Sequence, residues 1–257
     1  PMSDEQPVLV DVADGVMTIT LNRPKAKNAV NKAMAEGVAA AMDELDSNDA
    51  IRVGIITGAG GTFCAGMDLK AFVTGELPML EGRGFAGFVE APPQKPLIAA
   101  VEGFALAGGL EVMISCDLVV AADNARFGIP EVKRGLAAAA GGLIRLPRQI
   151  PPRVAMELAL TGDFMDAERA IQMGLRNRAV PAGTALAGAQ ELAAIIAANG
   201  PLAVKLSKQV IAASGDWSAQ EMWQKQQEIV MPIFTSEDAI EGATAFAEKR
   251  APNWKGK

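Results

Sequence analysis

The stretch PLIAAVEGFALAGGLEVMIS, at positions 96–115, decides the fold class of this chain. Its first part, residues 97–101, is a continuous apolar run, which is typical of a strand buried on both faces. A glycine-rich loop follows, and Gly108-Gly109 then opens a helix that we expect over residues 109–115. A strand, a glycine loop and a helix in this order predict a layered α/β core with crossover connections.

The segments on either side repeat this alternation. Asp14-Gly15 separates two short strands and indicates a hairpin. Asn28 or Asn31 is a suitable cap for a helix that runs to about Leu45. Segment 74–95 is rich in glycine and proline and predicts a surface excursion, with a lid as one role. The predicted strands are 8–12, 16–21, 53–57, 97–101, 118–121 and 177–180; the predicted C-terminal helices are 184–199, 201–214, 218–229 and 236–249, punctuated by Pro201 and Pro232.

The composition removes several kinds of chemistry. The 257 residues include no histidine and no tyrosine, which excludes Ser-His-Asp and Cys-His catalysis. Two cysteines are too few for a Cys₄ zinc site, so we expect no metal. We interpret Cys64 and Cys116 as small buried apolar side chains rather than as nucleophiles. Proton transfer in an enzyme of this composition therefore depends on carboxylates, lysine, cysteine or bound water.

Charge and hydropathy limit the partners and the compartment. The net charge is −6, which argues against nucleic acid as a partner. No apolar run approaches about 18 residues, so we expect no membrane span. Residues 2–6 are polar and acidic, unlike a signal peptide, and we expect a cytoplasmic protein with reduced thiols.

Two glycine-rich loops each follow a buried strand. The first, at positions 58–66, fails as a dinucleotide-binding loop because Phe63 stands where a small residue is needed. It fails as a P-loop because Met67-Asp68 replaces the lysine and hydroxyl residue. Taken alone, it indicates only a tight turn. With the second loop, at 103–109, it offers two N–H groups to a common point, which is the layout of an oxyanion hole.

Two glutamates lie in mainly apolar surroundings. Glu111 is flanked by Leu110 and Val112, and Glu131 follows Ile129-Pro130. Each alone is most simply a solvated carboxylate, or one paired with Arg126, Lys133 or Arg134. Together, beside a glycine loop, they favour an acid/base pair with raised pKa values. For Asp117 we expect a cap or a salt bridge.

Three ordered motifs resemble those of the enoyl-CoA hydratase/isomerase (crotonase) family. They are FCAGMDLK at 63–70, PLIAAVEG at 96–103 with AGGLE at 107–111, and FGIPE at 127–131 with Gly135 and Gly141-Gly142. The resemblance runs from about Asn22 to the end, including FAEKR at 246–250.

The family resemblance implies the fold and the assembly. It implies a crotonase-like spiral of ββα turns at residues 1–198 and a helical C-terminal trimerisation region at 199–257. A homotrimer or a dimer of trimers is expected. The substrate is an acyl-CoA thioester, coenzyme A being part of that substrate, and no separate cofactor is implied.

The resemblance also implies the site residues. Glu111 and Glu131 match the paired acid/base carboxylates of the hydratases, and the N–H groups of Ala65 and Gly108 match the oxyanion hole. In the implied mechanism the two glutamates hold one water, and Glu131 protonates the α carbon of the substrate. Substrate contacts are expected at Ala26, Lys27, Gly66, Met67, Asp68, Leu69, Ala138, Phe246 and Lys249, of which Phe246 and Lys249 can reach a neighbouring subunit's CoA.

The predicted activity is hydration of a 2-enoyl-CoA, because both glutamates are present. An isomerase with one working carboxylate is an alternative, as is an acyl-CoA-binding protein without turnover. An RNA-binding relative is disfavoured, since the predicted helix at 31–45 carries only Lys32 as a cation. Ala138 replaces a proline common in the family, which suggests a roomier acyl pocket. The segment 236–242 with Trp254 also resembles carnitinyl-CoA dehydratases.

Overall fold

The structure, a computed structural model, describes residues 6–257. Its strands are β1 (Val8–Ala13), β2 (Val16–Leu21), β3 (Val53–Gly58), β4 (Met79–Leu80), β5 (Gly84–Phe85), β6 (Leu97–Val101), β7 (Phe104–Leu106), β8 (Leu118–Ala122), β9 (Arg126–Gly128), β10 (Met165–Asp166) and β11 (Arg178–Val180). Its α-helices are α1 (Lys32–Ser47), α2 (Leu69–Val73), α3 (Gly108–Ile114), α4 (Gly142–Gln149), α5 (Pro152–Thr161), α6 (Ala167–Gln172), α7 (Ala185–Ala197), α8 (Pro201–Ser214), α9 (Met222–Phe234) and α10 (Glu237–Ala247). Short 3₁₀ helices lie at Pro24–Ala26, Ala59–Gly61 and Pro130–Arg134.

The spiral places one strand of a turn in a large sheet and the next strand in a smaller sheet. The larger sheet has the order β1-β2-β3-β6-β8-β11 and is parallel except for the β1–β2 hairpin. The smaller sheet has the order β10-β9-β7. The chain passes from β6 through β7 to α3, and then from β8 through β9 to α4. The predicted spiral of ββα turns is therefore confirmed.

Apolar side chains bury both faces of the large sheet. On one face, α1 contributes Met34, Val38 and Leu45 to the main core. On the other face, Ala185, Ala189 and Ala193 of α7 pack on the sheet in a second cluster. The Asn31 side chain caps α1 by accepting a hydrogen bond of 2.9 Å from the Met34 N–H, so Asn31 rather than Asn28 is the cap.

The segment at 74–95 differs from the prediction. Its middle part is not a surface excursion, because Phe85, Phe88 and Val89 are buried in the main core. Short β4 and β5 pair antiparallel, and β5 carries the Phe85 ring into the core. A strand of two residues is too short to show an alternating hydrophobic pattern, so β4 and β5 cannot be predicted from the sequence.

The C-terminal helices also differ in their bounds. The helix predicted at 218–229 begins at Met222 and continues to Phe234, so Pro232 lies inside α9 instead of ending it. Pro232 has no N–H to donate to the Glu228 carbonyl, so the last turn of α9 lacks one helical hydrogen bond. Pro201 begins α8, which is where proline is best tolerated.

Few residues of the C-terminal helices are buried within one chain. No residue of α8 or α9 is buried, and the side chains of Ile211, Trp223 and Phe234 are exposed. The last residues fold back onto these helices. The buried Asp238 carboxylate accepts hydrogen bonds of 2.7 Å from the N–H groups of Lys255 and Gly256.

The same tail reaches the end of α7. The Trp254 indole donates to the Ala198 carbonyl at 2.8 Å. No helix within residues 6–257 is long and apolar enough to cross a membrane. Residues 1–5, which include most of the polar start used in the compartment prediction, lie outside the described residues.

Candidate active site

Helix α3 carries Gly108 at its first position and Glu111 in its first turn. Every residue of this helix is buried. The residue before it, Ala107, has a φ of 53°, a conformation that is costly for a side chain with a Cβ atom. The strained entry sets the direction in which the free N–H groups of the helix point.

The Glu111 carboxyl group is buried and held by one backbone donor. Its side chain belongs to a residue that is 3% exposed, and Oε2 accepts a hydrogen bond of 2.9 Å from the Gly142 N–H. Burial raises the pKa of Glu111 to about 7. The Gly142 hydrogen bond opposes that increase, and the negative charge of Glu131 adds to it. Glu111 can therefore gain or lose a proton near neutral pH.

Gly141-Gly142 makes this contact possible. A Cβ atom on Gly142 would lie 3.2 Å from Glu111 Oε2 and 2.9 Å from the Ala138 Cβ, which is too close for a side chain. Gly141 has a φ of 107°, which favours glycine. Ala138 is buried against this pair. The sequence indicated a glycine pair here but not that it supplies a donor to Glu111.

Glu131 lies on the 3₁₀ helix that Pro130 opens. Its residue is 9% exposed, and its Oε1 atom has no hydrogen-bond partner among the described residues. Burial raises the pKa of the Glu131 carboxyl, and the positive charge of Arg134 opposes this increase. A buried carboxylate oxygen without a partner costs free energy unless a substrate or water satisfies it.

The Ala65 N–H is not a free donor. It donates to the Lys27 carbonyl at 3.0 Å, so the prediction that it belongs to the oxyanion hole is wrong. The Gly66 carbonyl accepts from the Val30 N–H at 2.8 Å. Because the C=O and N–H of a trans peptide point in opposite directions, the Met67 N–H points away from Val30. It donates to no oxygen atom within residues 6–257.

The two free N–H groups come from neighbouring backbone segments. A Cβ atom on Gly66 would lie 3.3 Å from the Gly108 nitrogen, which places the peptide before Met67 beside the start of α3. Gly66 has a φ of 115°, and this left-handed conformation turns the peptide that carries the Met67 N–H. The Gly108 N–H is the first of α3 and has no partner in the described chain.

Phe85 closes the other side of Gly108. A Cβ atom there would lie 2.5 Å from the tip of the Phe85 ring. Phe85 could not be predicted as a site residue, because it lies in the segment at 74–95 whose sequence predicts a surface excursion. Its ring makes glycine necessary at position 108.

A cleft of about 510 Å³ adjoins these groups. Lys27 lies at its edge with its ammonium 5.5 Å from the Phe104 ring centroid. Lys27 and the neighbouring Ala26 belong to a tight 3₁₀ turn. The cleft combines cations with apolar surface, which suits a long anionic ligand. Its lining residues are Lys27, Ala65, Phe104, Leu106, Pro130, Lys133, Arg134 and Phe164.

The remaining residues of the first motif have structural roles. The Asp68 carboxylate caps α2 by accepting from the Lys70 and Ala71 N–H groups, and it pairs with Arg23 at 3.0 Å. Burial favours a higher pKa for Asp68, but these contacts hold it below its ordinary value. Leu69 begins α2 and is exposed.

Phe246 and Lys249 lie far along the chain, at the end of α10. Phe246 is 88% exposed, and Lys249 follows the helix with a φ of 54°. Neither lines the cleft beside Lys27. Their predicted contact with CoA therefore stays a prediction.

Asp117 and the two cysteines are accounted for by packing. The Asp117 carboxylate accepts a hydrogen bond from the Leu97 N–H. It also forms a salt bridge with Lys208 at 2.7 Å, one of the two roles predicted for it. Both thiols are free and buried, and burial raises the pKa of Cys64 to about 12. Neither is suited to nucleophilic attack.

Comparisons with known proteins agree on one family. The family model described as enoyl-CoA hydratase/isomerase matches residues 11–257. A carnitinyl-CoA dehydratase of Proteus mirabilis is 40% identical over 250 residues, covering 94% of this chain and 95% of that protein. The enoyl-CoA hydratase EchA19 of Mycobacterium tuberculosis is 43% identical, covering 97% and 96%.

Solved structures give the same result. The crystal structure of an enoyl-CoA hydratase from Mycobacterium tuberculosis is 58% identical with a TM-score of 0.97 and covers 98% of this chain and 100% of that chain. A probable enoyl-CoA hydratase/isomerase from Mycobacterium abscessus is 62% identical with a TM-score of 0.95, at the same coverage.

Proposed function

The chain belongs to the enoyl-CoA hydratase/isomerase family, and we propose that it adds water reversibly across the 2,3 double bond of a 2-enoyl-CoA thioester. It is an enzyme of the hydro-lyase kind. The observation that carries this activity is the pair of buried carboxylates, Glu111 and Glu131, beside two unpaired backbone N–H groups. Water can be bound and split between two such carboxylates whose pKa values are raised.

The thioester carbonyl binds the N–H groups of Met67 and Gly108. As water attacks the β carbon, negative charge develops on the thioester oxygen, and these two donors stabilise it. We assign the role to Met67 because the Ala65 N–H is already bonded to Lys27. Removing one donor of this kind typically costs about 3 kcal/mol in the transition state.

The two glutamates hold the reacting water. Ionised Glu111 takes a proton from the water as its oxygen bonds to the β carbon, and Glu131, in its protonated form, gives its proton to the α carbon. A proton then passes from Glu111 back to Glu131 before the next turnover. The free Oε1 of Glu131 is the atom that offers a place for this water. Every step uses side chains and backbone of this chain, so the reaction requires no metal or redox cofactor. Coenzyme A enters as part of the substrate.

The cleft beside Lys27 is proposed to bind the CoA portion. Lys27, Lys133 and Arg134 supply positive charge for its phosphates, and Ala26 supplies backbone contacts. Contacts of Gly66, Met67, Asp68 and Leu69 with the substrate, and of Ala138 with the acyl group, are proposed from the motif match alone.

Hydration is tested by mixing the protein with 2-enoyl-CoA esters of graded length. The absorbance of the conjugated thioester should fall, and mass spectrometry should show a product heavier by one water. A 3-enoyl-CoA converted to its 2-enoyl isomer, with no hydroxy product, would instead identify an isomerase. Binding by calorimetry without any product would identify a non-catalytic acyl-CoA-binding protein.

Dehydration of a carnitinyl-CoA is the second candidate. It is supported by the 40% identity to the Proteus mirabilis enzyme. The chemistry is the same reaction in reverse, on a substrate with a trimethylammonium group. A parallel assay with carnitinyl-CoA and an uncharged hydroxyacyl-CoA of similar size separates the two candidates.

We propose that the chain assembles as a homotrimer or a dimer of trimers through a helical region at 199–257, separate from a catalytic core at 1–198. The exposed apolar side chains of Ile211, Trp223 and Phe234 support this assembly, since a single chain leaves them in water. Light scattering coupled to gel filtration gives the mass. A monomer at micromolar concentration would contradict the proposal. We further propose that the protein is cytoplasmic, where its two thiols stay reduced. We also propose that it binds neither membrane nor nucleic acid, the latter because of its net charge of −6.

A further inference from the structure

Helix α4 is bound to α3 by a stripe of three residues. Positions 142, 145 and 149 lie on one face of α4, at the i, i+3 and i+7 spacing of a helix. The Gly142 N–H donates a hydrogen bond to Glu111 Oε2 at 2.9 Å. Arg145 Nη1 donates to the hydroxyl of Ser115, immediately after α3, at 2.9 Å. Gln149 Nε2 donates to the Ile114 carbonyl, also at 2.9 Å.

Arg145 is unusual among the arginines of this region. It is half-buried, yet it forms no ion pair with any carboxylate in residues 6–257. A Cβ atom on Gly141 would lie 3.0 Å from its Nη1, so Gly141 leaves room for the guanidinium. The charge of the guanidinium interacts favourably with the carboxylates of Glu111 and Glu90. A half-buried guanidinium is stabilised by such negative charges.

Resting on the hydration proposed above, we propose that Arg145 is a positioning residue for Glu111. Its bond to Ser115 fixes α4 against α3, which presents the Gly142 N–H to the Glu111 carboxylate. Its charge favours the ionised form of Glu111, which is the form that can take a proton from water. Arg145 touches no reacting atom in this role.

The groups around Glu111 act in opposite directions. The charge of Glu131, on the 3₁₀ helix, disfavours a second negative charge, as does burial. The N–H groups of Gly142 and Ala140 and the charge of Arg145 favour it. Without Arg145 only the two backbone groups would stabilise the ionised form. The pKa of Glu111 would then be higher still.

The test compares Arg145→Gln with Arg145→Lys. The acidic limb of the kcat/KM profile for hydration should move to higher pH in Arg145→Gln, by less than the one unit or more that a directly adjacent opposite charge contributes. It should stay near the wild-type position in Arg145→Lys, which keeps the charge. Arg148→Gln, on the exposed side of the same helix, is the matched control and should leave the limb unchanged.

A second measurement does not depend on turnover. The Glu111 carboxyl carbon can be titrated by ¹³C NMR, with its signal assigned through Glu111→Gln. A wild-type chain without hydratase activity would overturn the proposed function but leave this titration informative. A Glu111 titration that is the same in wild type and folded Arg145→Gln would overturn the role of Arg145.

Ser115→Ala keeps the proposal testable if Arg145→Gln does not fold. This variant retains the charge but releases the guanidinium from its anchor. We expect the Glu111 titration to move upward by less than in Arg145→Gln, with a fall in kcat larger than the change in KM. An unchanged titration together with an unchanged kcat would contradict the positioning role.

Discussion

Glu111 and Glu131 are the same kind of side chain in one site, but the chain holds them differently. Glu111 lies on a fully buried α-helix and receives a backbone hydrogen bond from Gly142. Glu131 lies on a short 3₁₀ helix and keeps one buried oxygen without a hydrogen-bond partner in residues 6–257. The Gly142 N–H therefore fixes the Glu111 carboxylate in place, whereas the Glu131 carboxylate is left to bind water or substrate.

Replacing either glutamate tests whether both take part in turnover. Glu111→Gln and Glu131→Gln should each lower kcat for hydration by about 10²- to 10⁴-fold, the usual contribution of a general acid or base. Glu157→Gln, on the exposed side of α5, is the control. If one of the two glutamine variants kept full activity, the pair would reduce to a single working carboxylate, as in an isomerase.

The cost of burying Glu111 should appear in stability. Its pKa of about 7 in the folded state lies above the ordinary 4.5. The folded chain therefore binds the proton more tightly, and stability is lost as the pH rises between these two values. Glu111→Gln has no such loss and should exceed wild type at pH 8 by up to about 3 kcal/mol. Urea unfolding at pH 5 and pH 8 measures this, and a pH-independent difference would contradict it.

Activity should fall as the pH is lowered, whereas stability should fall as the pH is raised. If Glu111 is the base, kcat/KM should fall about tenfold per pH unit below about 7, because protonated Glu111 cannot accept the proton of water. The Glu131 carboxyl also has a raised pKa, so both titrate as a coupled pair. A profile that stays flat down to pH 5 would remove the difference in role between the two.

Gly142→Ala should disturb one glutamate and spare the other. The new Cβ atom would lie 3.2 Å from Glu111 Oε2 and displace the carboxylate. We expect a loss in kcat of about tenfold, smaller than that of removing the acid or base itself. Gly215→Ala, where a Cβ atom meets nothing within 4 Å, is the matched control. A Gly142→Ala variant with wild-type kcat would show that the position of the Glu111 carboxylate does not limit turnover.

Much of this site was predictable because its chemistry lies in short ordered motifs. Glu111, Glu131 and Gly108 stand in motifs that keep their residue types and spacing, and the structure buries all three. The donor on the first loop was not predictable in the same way. Whether Ala65 or Met67 offers its N–H depends on the φ of Gly66 and on which carbonyl Ala65 meets.

The parts that sequence analysis missed depend on long-range packing. Phe85 and Phe88 enter the core from a segment without hydrophobic periodicity, since the two-residue strands there are too short to show one. Arg145 carries no motif of its own, and its role appears only once α4 lies against α3. Local patterns predicted α1 and the six strands of the large sheet, most of which are long enough to show a period. The remaining strands have only two or three residues and were not predicted.

The folded-back segment at 255–257 has a consequence for local motion. The Asp238 carboxylate accepts hydrogen bonds from the N–H groups of Lys255 and Gly256, and the Asp238 N–H donates to the Lys257 carbonyl at 3.0 Å. One buried residue therefore holds three consecutive residues against α10. The amide hydrogens of Lys255 and Gly256 should exchange slowly with solvent, and Asp238→Ala should remove that protection.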